Sequence, residues 1–311
     1  MSKKWTYNDI PSQEGRLAIV TGANSGLGYF TTKGLAEKGC EVIMACRNIS
    51  KGADAKKALL KEKPEMKLEV MELDLADLDS VRAFAGKFRE KYNQLDLLIN
   101  NAGLMAIPRR MTRDGFEMQF GVNHLGHFAL TALLFDMLRA TTGSRIVSVS
   151  SAAHKVGEIR FEDINWEKGY QKWRAYGMSK LANIHFTYEL ADRISSLAID
   201  VKVLAAHPGY SDSSLIEKGP EMNGRKILVK AVKFANRIFA QSTAMGALPT
   251  LYAATSSDAQ HLGYYGPGGL AEMRGYPQRV YPSSKKLSKD VQEQLWDLSE
   301  SMTGIKFLSH S

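Results

Sequence analysis

Between residues 16 and 38 the chain passes from an apolar run straight into a cluster of glycines, and from there into a helical repeat. Arg16-Leu17-Ala18-Ile19-Val20 is followed by Thr21-Gly22-Ala23-Asn24-Ser25-Gly26-Leu27-Gly28. Leu27, Phe30, Gly34, Leu35 and Lys38 then fall near helical spacing. An unbroken apolar run suits a strand buried on both faces of a parallel sheet, covered by helices. Gly22 permits a tight turn, Gly26 lets the backbone approach a phosphate, and Gly28 lets helix and strand pack closely. The unpaired amides at the helix start, Leu27 among them, face outward from that turn. Such amides bind anions, and the context fits a dinucleotide pyrophosphate. The spacing is Gly-x-x-x-Gly-x-Gly rather than the commoner Gly-x-Gly-x-x-Gly, so a glycine-rich turn without a ligand is the alternative.

A second apolar run, Glu41-Val42-Ile43-Met44-Ala45, follows roughly twenty residues on, where NAD sites place an acidic residue on the ribose hydroxyls. Here that place holds Cys46 and Arg47. A guanidinium suits a 2′-phosphate through charge-assisted hydrogen bonds, and Asn24 and Ser25 add neutral donors. NADP(H) is therefore favoured over NAD(H), against the alternative of an arginine solvated at a strand end.

Far along the chain, Ser144-Arg145-Ile146-Val147-Ser148-Val149-Ser150-Ser151 reads as a buried strand ending in two serines. Trp173 to Ser195 reads as a long helix, and Tyr176 and Lys180 share one of its faces. A phenol titrates near ~10, and a neighbouring ammonium lowers that value. Tyr176 can then serve as general acid or base, with a serine hydroxyl holding the oxygen on which charge develops. Tyr29…Lys33 and Tyr281…Lys285 repeat the Tyr-x-x-x-Lys spacing. The first falls on the helix after the glycine turn and the second contains Pro282, so neither follows a serine-ended strand.

Taken together, these segments resemble the short-chain dehydrogenase/reductase family over about residues 15 to 270, and Ala45-Cys46-Arg47-Asn48 with Val122-Asn123-His124-Leu125-Gly126-His127-Phe128 resembles its retinol-dehydrogenase-like branch. The resemblance implies a single-domain, Rossmann-type, doubly wound parallel sheet flanked by helices. It implies an NADP(H)-dependent oxidoreductase interconverting an apolar aldehyde or ketone and its alcohol. Residue by residue, it implies Ser151 rather than Ser150 as catalytic serine, with Tyr176, Lys180 and Asn123 completing a tetrad in which Asn123 positions a relay water and Lys180 also binds ribose. It places Asp74 and Leu75 near the adenine, the Asn101-Ala102-Gly103 element beside the cofactor, and Pro208-Gly209 beside the nicotinamide. The family sets a threonine four residues after that glycine; Ser213 stands here instead. A non-catalytic nucleotide-binding redox sensor, or a double-bond reductase using the same Tyr/Lys pair, are the alternative readings. Homodimers or homotetramers are common in the family.

Strand and helix patterns alternate from Arg16 to Gly209 with no linker, so one domain is expected over 15–281, preceded by an arm (1–14) and followed by a tail (282–311) with a helix at Lys289 to Ser301. The net charge is +8, but the lysines are dispersed and no aromatic stripe is interleaved, so no nucleic-acid partner is expected. Two cysteines, Cys40 and Cys46, offer no disulfide scaffold, and the scattered His124, His127, His154 and His207 fit core or surface positions better than a metal site. With no leader or spanning apolar run in view, the expected location is cytoplasmic, with no integral membrane segment.

After the Pro-Gly turn, about 211–241 is expected to cover the substrate, with an amphipathic helix over Val229 to Phe239. A lid ranks ahead of a subunit contact and a membrane-surface contact for that helix. Trp166, Tyr170 and Trp173 read equally as the wall of an apolar pocket and as ordinary packing.

Overall fold

The computed structural model describes residues 4–210, 241–283 and 287–308. Its strands are β1 (Leu17–Thr21), β2 (Glu41–Cys46), β3 (Leu68–Glu72), β4 (Leu97–Asn100), β5 (Ser144–Val149), β6 (Val201–Ala206), β7 (Tyr264–Pro267) and β8 (Pro277–Val280). They form one sheet in the order β3-β2-β1-β4-β5-β6-β7-β8. Pairing is parallel up to β7, while β7 and β8 run antiparallel. This is the doubly wound arrangement expected from the sequence, with the strand order reversing between β1 and β4, where ligands bind in open α/β sheets.

The α-helices are α1 (Gly26–Ala36), α2 (Ile49–Glu62), α3 (Leu78–Lys91), α4 (Met118–Phe120), α5 (Gly126–Ala140), α6 (Lys172–Ser196), α7 (Thr243–Thr255) and α8 (Lys289–Thr303). Alternate residues of each strand enter different cores, as the two-residue period of a strand requires. Leu17 and Ile19 join Ile43, Leu98, Ile146 and Val203 under α3, α5, α6 and α8. Ala18 and Val20 join Val42, Met44, Ile99 and Leu204 under α1, α2 and α7. Helix starts are fixed locally: Asn48 Oδ1 accepts from the Lys51 amide, and Asp77 Oδ1 accepts from those of Asp79 and Ser80. α1 stops at Ala36, short of the expected Lys38, because Gly39 turns the chain back with φ 92°.

The two ends of the chain hold more of the core than their composition suggests. Trp5 is buried with its ring edge against Tyr252 of α7, and Tyr7 donates its hydroxyl to Ala244 O at 3.0 Å. Trp296 of α8 stacks with Phe186 and meets Phe128 and Phe307 at centroid distances of 5.9, 5.2 and 4.7 Å. The Arg193 guanidinium lies 4.4 Å from its ring centre and is itself held by Glu189 at 2.7 Å. The β7–β8 hairpin gave no clear sequence signal, since its strands are short and bracketed by glycine and proline; Pro277 starts the edge strand, where a missing amide costs nothing.

Trp296→Ala is expected to cost about 3–5 kcal/mol of unfolding free energy in a urea or guanidinium titration. A loss within about 0.5 kcal/mol would mean that α8 is a surface appendage.

Candidate active site

Gly22 and Gly26 adopt φ of 67° and 57°, the left-handed region open to glycine. A Cβ on Gly28 would stand 2.3 Å from Gly22 O, so only glycine lets α1 approach the end of β1 this closely. A Cβ on Gly26 would meet nothing within 4 Å, because it points into a cleft of ≈ 500 Å³. Ser25, the residue before α1, makes no side-chain capping bond, which leaves the first amides of the helix for a ligand. An open cradle with uncapped amides fits a pyrophosphate.

The cleft gathers residues that the sequence assigns to the cofactor from four separate segments, while Tyr176, Lys180, Pro208 and Gly209 stand outside its lining. Gly22, Asn24, Ser25, Gly26, Leu27 and Gly28 line one side; Arg47, Asp74, Leu75, Asn101, Ala102 and Gly103 complete it. Asn48, Lys51, Leu104 and Val122 also line it and were not singled out from sequence. Lys51 is one helical turn into α2, so the end of β2 presents two cations, Arg47 and Lys51, and no carboxylate. Thr21 is a second omission. Its Oγ1 accepts the amides of Asn101 and Ala102, both at 2.9 Å, and lies 2.9 Å from His127 Nε2. The His127 Nδ1 in turn is 3.0 Å from Asn123 O. A polar residue closing an apolar strand, and a histidine four residues after Asn123, were the only signals available.

β5 delivers both serines, and their surroundings separate them. Ser150 is buried and donates to Lys180 O at 2.8 Å. Ser151 accepts from the Ala153 amide at 3.2 Å and lies close enough to the Tyr176 phenol to favour its ionised form. Lys180 Nζ donates to Val149 O at 3.0 Å and stands 5.9 Å from the centre of the Tyr176 ring. Burial pushes the phenol above its ordinary value, and Ser151 pulls the other way. Burial also lowers Lys180 to about 8. The expected lowering of Tyr176 by the Lys180 ammonium is thus outweighed, because the ammonium is engaged by a strand carbonyl and desolvation dominates. The phenol is held protonated at neutral pH, the form that gives up a proton.

Asn123 lies in a π-helical turn, Gly121–Leu125, between α4 and α5. Its amide donates to Leu104 O and Ser179 Oγ, both at 2.9 Å, and its Oδ1 accepts from the Leu104 amide at 2.7 Å. Both amide hydrogens are therefore spent on protein groups, and the side chain braces the turn after Gly103. A Cβ on Gly103 would stand 3.2 Å from Asn123 Oδ1 and 3.3 Å from Lys180 Nζ, so this glycine joins the cleft to the Asn123 and Lys180 side chains.

Ser150 N donates to Ala206 O at 2.8 Å, which sets the Pro208-Gly209 turn beside the serines. Gln241 donates its side chain to Pro208 O at 2.7 Å and its amide to Tyr210 O at 2.9 Å. Ser213, and the expected cover up to residue 240 with its helix at Val229 to Phe239, lie outside the described residues. Trp166 is buried among Phe120 and Met178, as packing, whereas exposed Trp173 sets its edge on the Tyr176 ring at 6.3 Å. Tyr170 hydrogen-bonds Glu117 and Gln119, a buried knot that sequence reasoning missed. Lys33 pairs with Glu62, and Lys285 lies outside the described residues. Cys40 and Cys46 are free and buried.

Because Lys180 titrates at about 8 rather than its ordinary 10.5, its burial destabilises the fold fully below pH 8 and progressively less as pH rises from 8 toward 10.5. Lys180→Met is expected to gain about 1–3 kcal/mol of stability at pH 7 while losing turnover, the gain shrinking above pH 9. Denaturant unfolding at the two pH values, read beside activity, checks it; a destabilised variant would overturn the reading.

A family model described as short chain dehydrogenase matches residues 16–223. Retinol dehydrogenase 12 of Mus musculus is 38% identical over 294 residues, covering 94% of this chain and 88% of that protein. The crystal structure of an uncharacterized protein from Mycobacterium paratuberculosis matches with TM-score 0.80 and 41% identity over 98% of this chain and 99% of that one. RhlG of Pseudomonas aeruginosa, solved as an NADP complex, shares the fold at TM-score 0.63 and 23% identity, over 81% and 94% of the two chains.

Proposed function

The chain belongs to the short-chain dehydrogenase family and is an oxidoreductase acting on CH–OH groups with NAD(P), and on that basis we propose that it interconverts an apolar aldehyde or ketone and its alcohol using NADP(H). The observation that carries the reading is the contact of Ser151 with the Tyr176 phenol, one helical turn from Lys180 and joined through Gly103 to the dinucleotide-shaped cleft.

In this reading Gly22, Gly26, Leu27 and Gly28 hold the pyrophosphate, with Asn24 and Ser25 beside it. Asp74 and Leu75 flank the adenine, and Asn101, Ala102, Gly103, Pro208 and Gly209 run toward the nicotinamide. A bound nicotinamide supplies or accepts the hydride. Ser151 donates to the substrate oxygen as charge develops on it. Tyr176, kept protonated by burial, passes its proton to that oxygen in reduction and takes it back in oxidation. Lys180 stabilises the phenolate left behind and reaches the ribose, while Asn123 fixes the turn against which both work. Arg47 and Lys51 give a 2′-phosphate its counter-charge, which supports NADP(H) over NAD(H). Exposed Trp173, with its edge on the Tyr176 ring, favours an apolar substrate. Among the described residues no helix is long and apolar enough to cross a membrane.

Tyr176→Phe is expected to lower kcat by roughly 10²–10⁴-fold, with NADPH affinity kept within a few-fold. Full activity in a panel of apolar aldehydes and ketones would overturn the assignment. Arg47→Asp is expected to shift the NADPH/NADH ratio of kcat/KM toward NADH by at least about tenfold, the scale of one charge-assisted hydrogen bond. An unchanged ratio would place the 2′-phosphate elsewhere or remove it.

A further inference from the structure

The turn 207–209 and the start of the Ser151 segment are separate in sequence, yet one carboxylate touches both. Glu272 Oε2 lies 3.2 Å from His207 Nε2 and 3.0 Å from Lys155 Nζ. His207 is fully buried, immediately before Pro208-Gly209. Its ring packs on Tyr264 at 5.2 Å, and a Cβ on Gly266 would stand 2.1 Å from its Nε2, so the ring has its place only because residue 266 is glycine. Lys155 closes the short 3₁₀ helix, Ala152–Val156, whose N-terminus is Ser151.

The backbone around Glu272 is built for this reach. Ala271 and Glu272 both sit in the left-handed region, at φ 51° and 57°. Neither is glycine, so surrounding contacts must hold both residues in this strained conformation. A Cβ on Gly209 would stand 2.5 Å from Met273 O and 2.9 Å from Glu272 O, and the Tyr210 amide donates to Met273 O at 2.8 Å. The 271–273 backbone therefore lies directly on the Pro208-Gly209 turn. His207 and Lys155 together hold the Glu272 carboxyl down at about 2, so it is ionised throughout the working range.

We propose that Glu272 is a positioning residue that locks the turn 207–209 to the segment 151–156, fixing the distance between the nicotinamide and the Ser151–Tyr176 pair. This rests on the reading of 207–209 as the nicotinamide turn. The carboxylate touches neither substrate nor cofactor. The Lys155 pair is partly exposed, at 40% and 23% side-chain accessibility, so its worth in stability is small. Its effect is on placement, where a shift on the order of 1 Å costs up to 10²-fold in rate.

Glu272→Ala and Glu272→Gln in the full chain provide the test, with Lys155→Met beside them. Hydrogen exchange is followed in peptides spanning 150–157 and 206–210, alongside kcat, NADPH affinity and the isotope effect from 4-deuterated NADPH. The expected result for Glu272→Ala is faster exchange in both peptides, kcat down about 10- to 100-fold, NADPH affinity within threefold and a larger isotope effect. Glu272→Gln is expected to recover part of the loss, and adding Lys155→Met to Glu272→Ala to cost nothing more. Unchanged exchange, or faster exchange with kcat and isotope effect unmoved, overturns the proposal, as does a rate loss that only follows loss of folded protein. If the wild-type protein turns over no carbonyl or alcohol, the proposed function fails, and joint loss of protection in the two peptides still decides whether Glu272 couples them.

Discussion

Burying the Lys180 ammonium against the carbonyl of Val149 ties α6 to the end of β5, and the site is assembled around that tie. The same carbonyl receives Asn183 at 3.2 Å, and Ser150 returns a bond to the backbone of Lys180. With three cross-links between strand end and helix, the phenol has no freedom to drift from Ser151. The charge is expensive where it lies, since one strand carbonyl does not replace a hydration shell. Proteins retain such groups where function requires them, at the expense of stability elsewhere.

The doubly wound sheet makes this strain tolerable. Both faces of the sheet are covered, and α8 closes the α5–α6 side with Trp296 and Phe307. A rigid floor of that kind lets loops carry polar groups at the strand ends, with Thr21 and His127 linking the glycine turn to Asn123 through buried hydrogen bonds.

What could be read from sequence was local. The glycine turn, the serine-ended strand and the Tyr176/Lys180 pair each occupy a few consecutive residues whose spacing carries a geometric meaning. The cleft lined by Arg47, Asp74 and Asn101 followed from ordering those pieces on a parallel sheet. Thr21, Glu117, His127 and Glu272 were invisible because their partners are remote: 106 positions separate Thr21 from His127, and 117 separate Lys155 from Glu272. The sign of the Tyr176 shift was misread for a related reason. Spacing places an ammonium near a phenol, but only the folded interior says how dry both groups are. Trp166 and Trp173 likewise look alike in sequence and part ways only in the fold, one in a core, the other against the Tyr176 ring.

The bond between the Gln241 amide and the carbonyl of Tyr210 brings the chain back to the point from which it left the sheet. On either side of that bond β6 and β7 still pair directly, Ala205 against Tyr264 and Ala206 against Tyr265. Such a neck separates inheritance of the scaffold from inheritance of the segment expected to face the substrate. In general, doubling the length of a chain segment tied at both ends costs only about 0.6 kcal/mol. Relatives can then diverge in what they accept while the machinery beneath is copied unchanged.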